Sequence, residues 1–451
     1  MQQQALQQIR ASEAFLVFAV TMSIIFTTLL YAKASPHIGL LFAIIFLIIY
    51  GLLKKCRFTA LQQSMVNGAV DSLPAMYLFF LIGILIATFM YGGVIPTLIY
   101  AGFSIISGTF FYAIVFVVCA VIGVAIGSSL TTVATLGLAF IAIATSLDFS
   151  LAITAGAIVS GAFFGDKMSP ISDTTILAAS TVDQDLFTHI KTMMATTVPA
   201  FVISLIVFAF LSPSEATIPA KELQSMKDAL ISLGLVQWWT LLPLVALVVL
   251  AVLKVPALAT LTIVSGIAAI QGFILSPVSA EAFMTLLLEG YKVTSPNEAI
   301  NDILSRGGIA SMFFTMTLIV LALSFGGLLF GLNIVQTMFM QIKKAMTTVR
   351  KATFGAATSA VLLNTLIGEQ YLAILLTGTS FKDFFVERGY SKRQLGRVME
   401  DAGTVVNPLV PWSVCGIFIT SVLGVTTIEY IPYAIFCIAC PIITVLAIIK
   451  K

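Results

Sequence analysis

Residues 165–180 read GDKMSPISDTTILAAS, and they lie inside a stretch, 149–183, whose flanks are otherwise apolar. Pro170 has no amide and disfavours a helical residue before it. Ser172 is placed to cap a new half-helix with Asp173 in its first turn. The pattern is a helix broken in the middle of an apolar run. Irregular backbone of that kind survives at membrane depth only when it is buried in protein or lines a cavity.

The rest of the chain puts this break in a bilayer. Of 451 residues, 59% are hydrophobic and 10% charged, with a mean hydropathy of +1.08, whereas soluble domains run at about 45–50% apolar and about 25% charged. That excludes an ordinary soluble enzyme. The net charge of +3 is too small and dispersed for nucleic acid, so the implied partner is the lipid bilayer. Apolar spans at 14–31, 36–53, 73–91, 190–211, 237–252, 255–276, 308–330 and 428–449 do not alternate as barrel strands do. The fold expected is an all-α polytopic membrane protein. The five cysteines lie mostly in apolar runs and read as small hydrophobes, and the N-terminus reads as a first membrane helix rather than a cleaved signal.

A second interruption, EDAGTVVNP within 401–424, matches the first. Two further stretches, about 109–146 and about 353–381, are apolar on both sides of a polar, glycine-containing tip and read as re-entrant hairpins. Ser128 precedes Asn364 by 236 residues, Asp166 precedes Asp401 by 235 and Pro170 precedes Pro408 by 238. The chain therefore divides into residues 1–35 as an N-terminal transmembrane helix, 36–211 as a first repeat, 212–254 as a linker with an amphipathic stretch and a transmembrane helix, and 255–451 as a second repeat. Basic residues cluster near 54–57, 343–351, 382–397 and at Lys450 and Lys451, and the positive-inside rule makes these cytoplasmic. No Lys or Arg occupies the equivalent positions near 107–115 and 146–162. The repeats are thus expected to be inverted, with both termini cytoplasmic.

Inverted repeats with paired broken helices are how many secondary transporters build a midplane site, and ionisable residues at depth are functional candidates. The candidates are Asp166, Ser169, Asp173, Thr174 and Thr175 at the first break; Ser129, Thr131 and Thr132 at the first hairpin tip; Asn364 and Glu369 at the second; and Asp401, Thr404 and Asn407 at the second break. Their carboxylates and hydroxyls are hard-oxygen ligands for Na+, and half-helix N-termini near Thr174 or Val410 favour an anion. Lys167 and Glu400 are candidates for a gate or ion pair, with Lys167 reaching toward Asp401. No Walker loop or metal motif accompanies them. Asp401 also suits a helix cap at the cytoplasmic surface, and an intramembrane acid–base pair of Asp166 and Asp401 is a remote alternative.

The stretch GDKMSPISDTT closely resembles the G-D-x-x-S-P-x-S-D-T-T segment of the NhaC family of bacterial Na+/H+ antiporters, in the ion transporter superfamily. The similarity extends to Gly368-Glu369-Gln370-Tyr371, to Glu400-Asp401-Ala402-Gly403-Thr404 and to Pro411-Trp412. One departure is the first hairpin, Gly127-Ser128-Ser129-Leu130-Thr131-Thr132, where many relatives carry G-T-S-W-G-T. The resemblance implies a bacterial inner-membrane antiporter working by alternating access, with Na+ and H+ as cargo and no cofactor. It also admits a small carboxylate or amino acid as a partner solute. The helices outside the hairpin bundle are expected to form the scaffold or a homodimer contact.

Overall fold

The computed structural model describes residues 9–105, 110–213, 220–293, 301 and 304–447, and every element among them is helical. The expected hairpin start at 109, residues 214–219 of the linker, and Lys450 and Lys451 lie outside the described residues. Eight helices are long and apolar enough to cross a bilayer, or up to ten if two bent pairs each count as one span. The expected apolar spans fall on these helices; 237–252 is the shorter apolar helix Trp238–Val252, and 428–449 falls on the bent pair Thr427–Tyr433 and Ile435–Leu446. Their exposed rims carry large apolar side chains such as Phe42, Ile206, Phe210 and Leu253, as a surface solvated by lipid requires.

Both hairpins turn on a glycine. Phe111–Ile126 and Ser129–Ser146 meet at Gly127 (φ 68°), and Val349–Ile367 and Gln370–Glu387 meet at Gly368 (φ 75°). An L side chain is disfavoured in this left-handed region, and at Gly127 it would also press on Ile171 and Ser169. The tips are therefore sealed against the breaks: Val414 donates its amide to the Gly368 carbonyl at 2.7 Å.

The first break lies between Leu151–Met168 and Asp173–Thr181, with Ser169 extended and the Ser172 hydroxyl accepting from the Thr175 amide. In the second, Lys392–Val398 passes into a π-helical turn, Met399–Thr404, then Asn407–Leu409, an extended Val410, and a new helix Val414–Leu423 capped by Ser413. The half-helix N-terminus expected near Val410 is thus at Ser413, because Pro411 delays the restart by several residues. The structural register also differs from that read in the sequence. Gly127 with Gly368, Ser128 with Glu369, Pro170 with Pro411 and Ser172 with Ser413 are each 241 residues apart, which sets Asp166 against Asn407 rather than Asp401.

Asp183, just after the first broken helix, pairs with Lys382 at the base of the second hairpin (2.7 Å) and with Lys392 at the start of the second broken helix (3.2 Å). Hydrogen bonds from Lys382 and then Lys392 hold its carboxyl below the usual carboxylate range. At the other end, Gly156 lies against Tyr433. The end of one broken helix therefore sits beside the start of the other.

Several helices were not foreseen, among them Val94–Ile105, Ala280–Glu289, Ile334–Ala345 and Phe58–Val70. Phe58–Val70 packs along Ile309–Gly331 through small residues: a side chain at Gly68 would strike the Leu323 carbonyl and Gly327. Leu323 is roughly 12 Å from the Gly331 end of that helix at 1.5 Å per residue.

Candidate functional site

Asp166 closes the first half-helix at the break, where its carboxylate is only 4% exposed. The Ser129 hydroxyl from the first hairpin donates to one oxygen at 2.7 Å, and the Ser172 hydroxyl donates to the other at 2.6 Å. Ser172 is in turn 2.9 Å from the Thr174 hydroxyl, and Thr175 donates to the Lys167 carbonyl at 3.2 Å. A carboxylate taken from water needs such donors, since burying it without them costs several kcal/mol. Hairpin tip and second half-helix thus converge on one anionic group.

That group faces a cavity of about 860 Å³, whose wall includes Ser129, Thr131, Asp166, Asp173, Glu369, Asp71, Gln370, Tyr371 and Lys254. Both hairpin tips contribute. Glu369 caps the second hairpin's outgoing helix, accepting the Leu372 amide at 2.7 Å. Thr131 donates to Ser128 and Thr132 to the Ser128 carbonyl, so these two hydroxyls close the first tip upon itself. Ser169 is buried beside that tip and accepts from the Ile171 amide.

The remaining candidates form a second, dry cluster. The Lys167 ammonium pairs with Asp401, and both side chains are fully buried. Asp401 also accepts from Thr196 at 2.8 Å and lies 3.9 Å from Arg397, one turn earlier on its own helix. Full burial removes the reading of Asp401 as a surface cap, because its charge is spent across the two broken helices. Glu400 accepts from Thr404 at 2.8 Å, leaving its other oxygen buried without a partner. Asn364 donates to the carbonyls of Ala402 and Gly403 that the π-turn leaves free, and Asn407 donates to Asn364 at 2.8 Å. Asn407 also accepts the Cys415 amide at 3.0 Å, so it stitches the second break where Asp166 opens the first.

Sequence reasoning missed Asp71, Gln370 and Tyr371 on the cavity wall and Thr196 and Arg397 around Asp401. The four-residue spacing of Arg397 and Asp401 is a readable helical pair. Nothing in the sequence brings Thr196 there, and Asp71 is a lone acid before an apolar span.

A multi-span helical protein with two broken helices, two hairpin tips and a buried carboxylate facing a cavity between them has the construction of an ion-coupled membrane transporter. Residues 6–183 and 161–450 match the Na+/H+ antiporter family. The chain belongs to that family. It is 37% identical over 433 residues, 96% of this chain and 94% of the relative, to the Na+/H+ antiporter NhaC of Alkalihalophilus pseudofirmus. It is 35% identical to the NhaC antiporter of Bacillus subtilis, over 96% of this chain and 97% of that one. A malate-2H+/Na+-lactate antiporter of Bacillus subtilis is 30% identical, over 93% of this chain and 90% of the relative.

Proposed function

We propose that the protein exchanges Na+ for H+ by alternating access, and that Asp166 is the group both ions share. The observation that carries this reading is the Asp166 carboxylate, 4% exposed, held by Ser129 and Ser172 and facing the cavity. When ionised it offers two oxygens to Na+, with the neighbouring hydroxyl oxygens completing a hard-oxygen set. A proton bound to the same carboxylate cancels the charge and releases Na+; loss of that proton restores the site. One carboxylate cannot hold both ions, so the coupling is exchange.

The charge of the wall favours a cation as cargo: Asp71, Asp166, Asp173 and Glu369 stand against Lys254. A small carboxylate or amino acid is therefore a partner solute only if it reaches the wall together with cations. The expected architecture is a pair of inverted repeats in a bacterial-type inner membrane, with the basic end of the second hairpin cytoplasmic. Its support is that the first broken helix ends, at Asp183, where the second begins, at Lys392. Movement of hairpins and broken helices against the other helices would then open the cavity to each side in turn. The chemistry is transport, with no bond of the cargo broken.

The test is purified protein in sealed liposomes with a luminal pH dye. An external Na+ pulse with no other solute alkalinises the lumen, and Asp166→Asn abolishes the signal while the protein stays monodisperse. Normal exchange by Asp166→Asn overturns the assignment. A signal that needs trapped malate, lactate or an amino acid moves the protein to organic-solute exchange.

A further inference from the structure

We propose that the basic end of the second hairpin binds an anionic phospholipid, whose phosphate is held by Lys343, Arg350, Lys351 and Arg388 and whose acyl chains lie on the apolar side chains beside them. Such a site is separate from the cavity and does not depend on which group carries Na+ and H+.

Three helix ends meet here. Ile334–Ala345 buries Ile334, Val335 and Met338 and finishes on Lys343 and Lys344, Val349–Ile367 carries Arg350 and Lys351 in its first turn, and Gln370–Glu387 is closed by Arg388. Tyr390 donates its hydroxyl to the Thr347 carbonyl at 3.5 Å, and Gly355 lies against Met346 and Ile342, so the ends are held together. The Lys343 ammonium lies 5.6 Å and the Arg388 guanidinium 5.4 Å from the centre of one ring, that of Phe384. Their neighbours Lys382 and Lys392 are taken by Asp183. Lys343, Lys344, Arg350, Lys351 and Arg388 are all exposed, and among the described residues none of them makes an ion pair. Asp383 and Glu387, exposed on the same helix as Phe384, are not paired with them either.

Like charges gathered round one ring repel, and Arg350 and Lys351 add theirs at a helix N-terminus, the end that favours an anion. The positive-inside rule accounts for the side on which these cations lie, but not for their convergence without an acid among them. The counter-charge that fits is an anion from outside the chain. The side chains next to the cations define its shape. Met340, three residues before Lys343, is 53% exposed; Phe354, three after Lys351, is 58% exposed; and Val386, two before Arg388, is 50% exposed. Each basic helix end thus carries an exposed apolar side chain within a turn of it. A free phosphate would engage the cations alone, whereas a phospholipid engages both sets, as basic ends of membrane helices do with acidic headgroups. A headgroup held there ties the base of the second hairpin, whose tip bears Glu369, to the membrane surface.

The measurement is native mass spectrometry of the purified full-length protein in detergent, titrated separately with phosphatidylglycerol, phosphatidylcholine and inorganic phosphate. Phosphatidylglycerol half-saturates the unmodified protein at a concentration about tenfold or more below that of phosphatidylcholine, and inorganic phosphate in large excess does not displace it. Lys343→Gln combined with Arg388→Gln raises the phosphatidylglycerol concentration needed by about thirtyfold, the loss expected for two cations. Lys343→Arg combined with Arg388→Lys keeps most of the affinity, and Lys292→Gln, on a different part of the surface, leaves it unchanged. If the first neutralised pair does not stay monodisperse, Arg350→Gln combined with Lys351→Gln takes its place and gives a loss of the same size. Equal binding of the two lipids by the unmodified protein, or a preference that survives neutralisation of either pair, overturns the proposal. Displacement by inorganic phosphate also overturns it, since the site would then read phosphate without the acyl chains. Binding is read without transport, so either outcome leaves the exchange assignment of Asp166 to its own test.

Discussion

Ser129 and Thr132 sit three residues apart in the same short helical turn, yet their hydroxyls do different things. Ser129 donates to the Asp166 carboxylate at 2.7 Å, whereas Thr132 donates to the Ser128 carbonyl of its own turn. A hydrogen bond to a charged group contributes about 1.5–3 kcal/mol, and removing the serine hydroxyl also removes an oxygen from the Na+ shell. Ser129→Ala is therefore expected to raise the Na+ concentration for half-maximal exchange by about tenfold, with Thr132→Ala within twofold of the unmodified protein. Dose–response curves in proteoliposomes check this, and equal effects of the two substitutions would remove Ser129 from the site. The same contrast explains what the residue types alone convey: both are hydroxyl residues at a hairpin tip, and only the structure tells which oxygen is free to face the cavity.

At the scale of elements, the two broken helices are locked by the Lys167–Asp401 pair, with Thr196 and Arg397 completing the shell. Removing one partner of a buried pair costs about 3–5 kcal/mol, because the other charge is left uncompensated, while replacing both by apolar groups is often tolerated. Lys167→Met and Asp401→Leu are each expected to lower thermal stability in detergent, Asp401→Leu the more because it strands both Lys167 and Arg397, and the double variant is expected to recover part of the loss, with Arg397 still buried beside the lost carboxylate. Additive losses would show that the two side chains are not coupled. The breaks themselves were legible, since a proline among polar residues within an apolar run leaves few other conformations. Their register was less so: the second break contains both Pro408 and Pro411, and the π-turn at Met399–Thr404 inserts residues before the restart. Counting from Pro408 pairs Asp166 with Asp401, whereas the caps Ser172 and Ser413 pair it with Asn407. Phe58–Val70 was missed for a different reason. Its sequence, FTALQQSMVNGAV, is not apolar enough to read as a span, and it is held by close backbone approach at Gly68 rather than by a greasy face.

For the whole molecule the decisive question is whether the two halves face opposite ways, and Asp183 supplies the handle. It pairs with Lys382 and Lys392 in the basic region that the positive-inside rule assigns to the cytoplasm. Asp148, on the other side of the first broken helix, is exposed next to the base of the first hairpin, where Ser150 donates its amide to Tyr112. A broken helix that crosses the bilayer between these points must leave them on opposite faces. The second broken helix starts where the first ends, so in the proposed inverted arrangement its hairpin is expected to hang from the opposite face, as alternating access by inverted repeats requires. In a Cys56→Ser background, where the other four cysteines are buried, Asp148→Cys is expected to react with a membrane-impermeant maleimide in right-side-out vesicles. Asp183→Cys is expected to react only after the vesicles are opened. Labelling of both from one side would place the two ends of the first broken helix on the same face, and the inverted arrangement would fall with it. The opposite result, Asp183→Cys reacting from outside and Asp148→Cys protected, would keep the inversion but turn the whole protein over, with the basic clusters facing out against the charge rule that otherwise sets its orientation.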